Sequence, residues 1–369
     1  MKNLVLKKES ENNSINYADN CFDIIRIIAA LQVMIGHLIE HFELDNNYPF
    51  LKLLSVLSTY IPGKGVVIFF VVSGFFSFSS IEKIYYTNGG GDWKKKFLRI
   101  YPELWLAFII NTIIIAFLYG LSNNYVDNVI YFVTQTTIFQ FYTGDWLRGY
   151  GVGTPNGALW TITVTIQFYI AVFFLFKLTK KWKLRHWGML LLFCIILSVI
   201  CSNLFFVSDI VRKLIQVSLI PYLYIFIVGI IIYKYRNILL PFLVKWFWFF
   251  GLIYLPVKYI FTNIEIPLHF GVLYDVFSSL LLSATVIGAG YAFGKIRLKH
   301  EISYSIFLWH MIIVNICLEF SKMMDLSLVN YGKLFMCITI ILTIIISMFS
   351  SLFGRTIVKL TENKKYNFI

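Results

Sequence analysis

The sequence predicts an all-α fold, a polytopic membrane protein built as a bundle of about ten transmembrane helices. Its composition supports this class: 59% of the 369 residues are hydrophobic and only 14% are charged, whereas soluble domains average about 45–50% apolar and about 25% charged residues. The net charge of +13 fits the same class, because Lys and Arg are enriched in the cytoplasmic loops of membrane proteins. We therefore do not interpret the charge as a sign of nucleic-acid binding.

About ten apolar segments are long enough to cross a bilayer, which takes roughly 17–25 residues. The seventh of them is interrupted by Pro241 and Pro256. Residues 126–142 are also fairly apolar but contain Thr and Gln, which favours an interfacial or re-entrant helix. The predicted spans are residues 22–42, 62–81, 99–120, 156–177, 187–207, 215–233, 238–257, 270–293, 302–321 and 333–354.

The predicted organisation is one transmembrane domain, residues 21–355, between two short tails. Residues 1–20 are polar and predict a flexible cytoplasmic tail, and residues 356–369 predict a second cytoplasmic tail. With the N-terminus in the cytoplasm, the segments assigned to the cytoplasm hold most of the Lys and Arg, which supports both termini inside. The five cysteines are scattered without a CxxC pair, so we interpret them as small buried hydrophobic residues.

The first predicted helix carries two ionisable residues on one face. Arg26 and His37 are eleven residues apart, which is about three helical turns and roughly 16 Å along the axis. Ionisable groups inside a span are costly and usually functional. For Arg26, a surface anchor and a functional cation are equally good interpretations, whereas for His37 we favour function over a buried structural histidine. Glu40 and His41 follow near the outer end, where they could face water.

Basic residues also precede the third predicted helix. Lys94, Lys95 and Lys96 are best explained as topology determinants that contact anionic lipid. Arg99 begins the apolar run, directly before Tyr101-Pro102, and could bind a phosphate in a bidentate manner.

Other polar residues lie within predicted spans, where such groups usually face the bundle interior. In the second helix, small residues at Ser73-Gly74 indicate close helix packing. In the ninth, His310 follows Tyr304 and Trp309, and a structural hydrogen bond and a function explain it equally well. The fourth helix carries two polar stripes at helical spacing: Asn156, Trp160, Thr163 and Gln167, and Thr161, Thr165 and Tyr169.

Several known catalytic signatures are absent from the sequence. We find no GxSxG, Walker A or HExxH motif and no paired cysteines. These absences and the scarcity of intramembrane carboxylates predict that the protein holds no metal.

Five sequence blocks, taken together and in order, resemble the acyltransferase-3 family of bacterial integral-membrane acyltransferases. The resemblance runs from about Asp23 to the last predicted helix. Its first block matches the family's Asp, Arg and His, which are here Asp23, Arg26 and His37. The blocks are FDIIRIIAALQVMIGH, GVVIFFVVSGFF, KKFLRIYPELW, NGALWTITVTIQFY and SYSIFLWH.

The resemblance implies a bundle of about ten helices in the bacterial cytoplasmic membrane. Family members move an acyl group, usually acetyl, from cytoplasmic acyl-CoA to a hydroxyl of an extracytoplasmic glycan. The expected cofactor is therefore acetyl-CoA as acyl donor. The expected partners are a cell-surface glycan or lipid-linked sugar as acceptor, and membrane lipid, with a homo-oligomer left open.

The resemblance also implies roles for individual residues. By position, His37 resembles the family's essential histidine, Arg26 its paired basic residue, and Arg99 the basic residue before Tyr-Pro, with Tyr101 beside the donor. His37 could act as a general base or accept the acyl group covalently. The expected substrate or supporting residues are Asp23, Ser73, Trp160, Thr165, Gln167, Tyr169, Tyr304, Trp309 and His310.

One position departs from the family pattern. Where the family usually has Glu shortly before Gln-Phe-Tyr, this chain has Thr165. Threonine cannot orient a histidine or balance its charge as a carboxylate does, and Glu40 and Glu103 are conceivable substitutes for that carboxylate. The departure leaves two alternatives open: a family member with impaired catalysis, and a carrier or flippase for a lipid-linked sugar.

Overall fold

The protein is all-helical over the residues that the computed structural model describes, which are 17–44, 65–86, 92–204, 208–263 and 268–366. Parts of several predicted segments lie outside this set: residues 1–16 of the N-terminal tail, 62–64, 205–207, 367–369 of the C-terminal tail and the side chains of residues 94–96. The helices are α1 Phe22–His41, α2 Gly65–Tyr86, α3 Asp92–Leu118, α4 Tyr125–Thr136, α5 Trp160–Thr179, α6 Leu184–Leu204, α7 Asp209–Gln216, α8 Leu223–Lys234, α9 Arg236–Asn263, α10 Leu268–Ala292, α11 Ser303–Met323 and α12 Leu328–Tyr366.

The predicted membrane bundle is confirmed. Within the described ranges, nine helices are long and apolar enough to cross a membrane, and a bent helix pair raises the number to ten. That pair covers the sixth predicted span, residues 215–233: α7 and the segment that begins at Ile220 meet at 52°. Pro221 cannot donate a backbone hydrogen bond at this bend, and the Gln167 side chain bonds Val217 O and Leu219 N, each at 2.9 Å.

Three further segments bear on the predictions made from the sequence. Helix α9 continues through both Pro241 and Pro256 without ending. Residues 125–136 form a separate helix, α4, whose Asn124 side chain accepts a hydrogen bond from Val126 N at the helix start. Helix α12 continues past the predicted domain boundary near residue 355 and ends at Tyr366.

Helix α2 lies at the centre of one half of the bundle, where it packs on α1, α5, α8 and α10. Its closest neighbour is α8. A Cβ atom added at Gly74 would lie 2.3 Å from Phe226 O, and one added at Gly229 would lie 2.2 Å from Val71 O. The two helices therefore cross at backbone contact, which confirms the close packing predicted at Ser73-Gly74.

Helix α11 organises the other half, where it packs on α1, α3 and α12. Its interior residues are almost completely buried, including His310 and Asn315. The two halves meet along α1 and α2, and the cavity described below opens between them.

Candidate active site

A cavity of about 530 Å³ lies between α1, α2, α3, α5, α11 and α12. Its volume is in the range of small-molecule and cofactor pockets. We call the end of the bundle near Arg26 the Arg26 end, and the opposite end of α1 the His37 end. Charged residues line the cavity toward the Arg26 end, and aromatic residues close it toward the His37 end.

Arg26 projects from the second turn of α1 into this cavity. Its guanidinium is 3.7 Å from the Asp23 carboxylate, one turn earlier, and 5.6 Å from the centre of the Phe76 ring. Asp23 also accepts a hydrogen bond from Leu298 N at 3.4 Å. Asp23 and Arg26, which the sequence analysis both singled out, thus lie in contact. The Asp23 carboxylate and the Phe76 ring orient the Arg26 guanidinium.

Arg99 enters the cavity from α3. The charges of Arg26 and Arg99 interact with each other and with the Tyr169 hydroxyl, which is hydrogen-bonded to Ser73. Two like charges in one partly buried site repel each other, and the Glu301 carboxylate, which lines the same cavity and interacts with Arg26, offsets part of this repulsion. A polyanionic ligand would relieve that repulsion and could accept bidentate bonds from both guanidinium groups.

The two polar stripes of α5 have different environments. Thr161, Thr165 and Tyr169 all line the cavity, and the Thr165 hydroxyl donates back to Thr161 O at 2.8 Å. The residues of the other stripe form hydrogen bonds to neighbouring segments of the bundle. In addition to the Gln167 contacts, Asn156 donates to Leu308 O at 2.8 Å, and Thr163 donates to Ile138 O at 2.9 Å.

Glu103, which the sequence offers only as a conceivable substitute for the missing carboxylate, lines the cavity. It is only 8% exposed and accepts hydrogen bonds from Ser305 at 2.5 Å and Ser350 at 3.3 Å. In the sequence, its place near the site is indicated by its position four residues after Arg99, which puts both side chains on one helix face. The serine partners come from α11 and α12, so only tertiary packing shows that this carboxylate is held in place.

Helix α12 contributes two more cations at the Arg26 end, Arg355 and Lys359. Arg355 donates to Lys299 O and Glu301 O, each at 3.0 Å, and contacts the His300 ring nitrogen at 2.9 Å. It therefore holds the turn before α11 against α12. Lys359 lies in the segment that the sequence analysis assigned to a tail, residues 356–369, whereas Arg355 is the last residue of the predicted transmembrane domain.

Tyr304 also lines the cavity, and its hydroxyl donates to Ile100 O at 3.0 Å. Other predicted residues lie elsewhere among the residues described. Tyr101 packs on Phe97 and Trp105 outside the cavity lining. Trp160 packs on Tyr222, and Trp309 is buried in a core with Leu104 and Ile162.

Two phenylalanines close the cavity toward the His37 end. The rings of Phe69 and Phe307 meet edge to face with centroids 5.9 Å apart, and both line the cavity. They pack with Val33, Val152 and Met311 in one apolar cluster. Val33 precedes His37 by about one helical turn, which is roughly 6 Å along the axis of α1.

His37 and His310 lie beyond that partition. Their rings stack with centroids 5.5 Å apart, and Phe307 contacts His310 at 5.9 Å. His37 is not among the described residues that line the cavity, although Arg26 is. Although Arg26 and His37 share one face of α1, Arg26 therefore lies in the cavity and His37 lies just behind the wall that Phe69 and Phe307 form.

The contacts of His310 indicate its tautomer. Its Nδ1 is 2.9 Å from Ile306 O, and since a carbonyl can only accept, Nδ1 carries the proton. The other nitrogen, Nε2, is then a bare acceptor. The side chain is fully buried, and Nε2 has no hydrogen-bond partner in the described ranges; the same holds for His37 Nδ1. Buried polar atoms of this kind usually have a partner, so a donor from a substrate or water would complete the pair.

A loop over residues 149–156 covers the His37 end. Asn315 and Glu319 of α11 hold it: Val152 N donates to Asn315 Oδ1 at 3.0 Å, and Gly151 N donates to Glu319 Oε1 at 2.7 Å. Gly151 has a φ of +53° and lies directly against the Asn315 side chain. A glycine is needed here for both reasons.

One group of metal-ligand type occurs in the part of the chain that the structure describes. It consists of His37, Glu40 and His41, whose ligand atoms all lie within 4.8 Å of one another. The sequence-based prediction of no metal rested on other motifs, so this cluster is a reason to test it.

Comparison with known proteins identifies the family of this chain. A protein family described as "Acyltransferase domain", the acyltransferase-3 family, matches residues 19–352. "Nodulation protein 10" of Rhizobium leguminosarum bv. viciae is 24% identical over 319 residues, which cover 80% of this chain and 83% of that protein. No solved structure matches the chain significantly. Because the family match covers most of the sequence, the protein belongs to the acyltransferase-3 family and is a membrane acyltransferase.

Proposed function

We propose that the protein transfers an acetyl group from acetyl-CoA to a hydroxyl of a cell-surface glycan or a lipid-linked sugar. The observation that carries the proposal is a single cavity that begins among Arg26, Arg99, Arg355 and Lys359 and ends at an aromatic wall with two histidines behind it. This arrangement suits a ligand with an anionic head and a long, thin, reactive arm.

The donor binds with its phosphates at the Arg26 end. Arg26 and Arg99 hold the phosphates, because guanidinium groups form strong, charge-assisted and bidentate bonds to phosphate oxygens. The pantetheine arm follows the cavity past Thr165, Tyr169 and Tyr304, which offer hydroxyl groups along its length. Its amide groups need such partners when they leave water.

The thioester reaches the histidines by passing the aromatic partition. Phe69 and Phe307 lie between the cavity and His37. A movement of one ring would therefore open a path for the thioester to His37. When the wall is closed, the rings keep water on the acceptor side away from the thioester. This arrangement limits hydrolysis of the donor.

The chemical step is an acyl transfer with His37 as general base. His37 takes the proton of the sugar hydroxyl, and the hydroxyl oxygen attacks the thioester carbonyl carbon to form a tetrahedral oxyanion. The carbon–sulfur bond then breaks, the acetyl group stays on the sugar oxygen, and the departing CoA thiolate takes the proton from His37. His310 Nε2, which stacks beside His37, accepts a hydrogen bond that orients the sugar hydroxyl or a bound water.

The proposed location is the bacterial cytoplasmic membrane, with both termini and the Arg26 end on the cytoplasmic side. Basic residues at that end follow the positive-inside rule, and cytoplasmic acyl-CoA would then reach the cavity directly. The acceptor approaches from the His37 end, beneath the loop that Asn315 and Glu319 hold.

The proposal is tested by mass spectrometry of surface glycans from cells with and without the gene, complemented by the parent or by His37→Ala. We expect one acetyl group per acceptor unit to be present with the parent and absent with the variant at equal membrane abundance. Equal acetylation in all strains would contradict the enzyme. An accumulated lipid-linked sugar without any acetyl change would favour the carrier.

A further inference from the structure

Three metal-ligating side chains project together from the last turns of α1. His37, Glu40 and His41 have the spacing i, i+3 and i+4, which places them on one helix face. Their ligand atoms lie within 4.8 Å of one another. A zinc ion binds nitrogen and oxygen at about 2.0–2.2 Å, so small side-chain rotations bring all three into one coordination sphere.

The two imidazoles are already arranged as a pair. The rings of His37 and His41 are parallel within 3°, with centroids 5.6 Å apart. Two histidines four residues apart on a helix are a recurrent zinc-binding element, and His-x-x-Glu-His occurs as such among zinc enzymes. Two imidazole nitrogens and one carboxylate oxygen are ligands that suit Zn²⁺.

A second observation supports a ligand at this place. His37 Nδ1 is buried, and it has no hydrogen-bond partner in the described ranges. His41 is half-buried and Glu40 is exposed, so the cluster connects a buried nitrogen to the surface at the His37 end. An ion could therefore enter without crossing the donor cavity, which lies beyond Phe69 and Phe307.

We propose that His37, Glu40 and His41 form a binding site for a divalent transition-metal ion of the Zn²⁺ class, and that the bound ion inhibits acyl transfer. The ion occupies the nitrogen lone pair that His37 needs to accept the hydroxyl proton. Water fills the remaining coordination position. The inhibition rests on the proposed function, whereas the binding does not.

Binding is tested on the full-length protein, purified in detergent and treated with a chelator. Titration with Co²⁺ should produce visible absorption bands at one ion per chain, and Zn²⁺ should displace them. His41→Ala and Glu40→Gln should each weaken Co²⁺ binding at least tenfold, since loss of even an outer-shell partner costs about 10–100-fold. His186→Ala, which removes a histidine at the start of α6, is the matched control and should bind as the parent does.

Inhibition is tested separately, by acetyl transfer in proteoliposomes at increasing Zn²⁺ concentration. Each variant is compared with its own metal-free rate. The half-inhibitory concentration should rise at least about tenfold in His41→Ala and stay unchanged in His186→Ala.

The two measurements separate the two parts of the proposal. Absence of Co²⁺ bands, or equal affinity in the parent and His41→Ala at matched elution volume, overturns the site even if the enzyme is active. Co²⁺ binding that depends on His41, together with acetyl transfer insensitive to Zn²⁺, overturns the inhibition alone. A protein that binds Co²⁺ in this way but transfers no acetyl group supports the site and contradicts the proposed function.

Discussion

Phe69 of α2 and Phe307 of α11 meet edge to face, with ring centroids 5.9 Å apart, at the inner limit of the cavity. Each helix belongs to a different half of the bundle, so this contact joins the two halves at the depth where a donor's acyl group would arrive. In the proposed reaction, the pair sets how much room the acyl chain has.

We expect Phe69→Ala to change acyl-chain preference. Removing the ring enlarges the inner end, and each extra methylene that becomes buried contributes about 0.8 kcal/mol. The ratio of butyryl-CoA to acetyl-CoA use should rise roughly tenfold for two methylenes. Competition between the two donors, with both products quantified by mass spectrometry, measures the ratio.

Phe176→Ala is the control, because this phenylalanine is 3% exposed and packs in the α2 core outside the cavity lining. It should destabilise the protein without changing donor preference. Equal ratios in Phe69→Ala and the parent would show that the rings do not limit the acyl group.

Removal of the histidine pair should affect the chemical step. We expect His37→Ala to lower kcat by about 10²–10⁴-fold, the usual contribution of a general base. His310→Ala should lower kcat less, because it orients the hydroxyl and does not accept the proton in the proposed reaction. His186→Ala is again the matched control, and full activity of His37→Ala at equal expression would remove His37 from the mechanism.

Arg26→Ala should act on the donor. Loss of a charged hydrogen bond costs about 1.5–3 kcal/mol, so the KM for acetyl-CoA should rise roughly ten- to a hundredfold while acceptor preference stays the same. Arg212→Ala is a close control, because Arg212 also pairs with an Asp three residues earlier but lies on the short helix α7. A KM for acetyl-CoA that is the same in both variants would count against phosphate binding by Arg26.

Thr165→Glu tests the departure from the family pattern. Thr165 and Glu103 line the same cavity, so a carboxylate is already present, and we expect kcat to change by less than about threefold, or under roughly 0.7 kcal/mol. Thr165→Gln is the control, because Gln has nearly the size of Glu but no charge, and it therefore separates the effect of charge on kcat from the effect of size. A large gain in acetyl-CoA turnover with Glu alone would instead identify the parent as catalytically impaired.

Gly229→Ala should destabilise the bundle. Its added methyl group would lie 2.2 Å from Val71 O in α2, and overpacking of this kind costs about 1–3 kcal/mol. Gly188→Ala in α6 is the control, since no atom lies within 4 Å of its added methyl group. Thermal unfolding in detergent should show a lower Tm for Gly229→Ala only; equal values would mean that the α2–α8 crossing can relax.

The span pattern of this protein is readable in its sequence because the bilayer imposes it. A segment of about 20 apolar residues has few alternatives in a membrane, and the predicted spans accordingly match α1–α3, α5, α6 and α8–α12. The bend between α7 and α8 was not readable, because it depends on the Gln167 side chain of α5, which lies 50 and 52 residues away from its two partners.

For the candidate site too, part of the arrangement is readable in the sequence and part depends on tertiary packing. Helical periodicity alone placed Thr161, Thr165 and Tyr169 on one face, but both stripes of α5 were equally polar in sequence. Only packing showed which one borders the cavity. Glu103 and Arg355 likewise gain their positions from partners on other helices.

By itself, the sequence determined the membrane class, the family and the common face of Arg26 and His37, because these follow from composition and from spacing along a single helix. The tertiary structure decided that Arg26 borders the cavity, whereas His37 lies behind Phe69 and Phe307, stacked on His310. The physical reason is that a cavity wall is made by side chains from several helices. Their mutual depth depends on how the helices pack and cannot be calculated from the periodicity of any one of them.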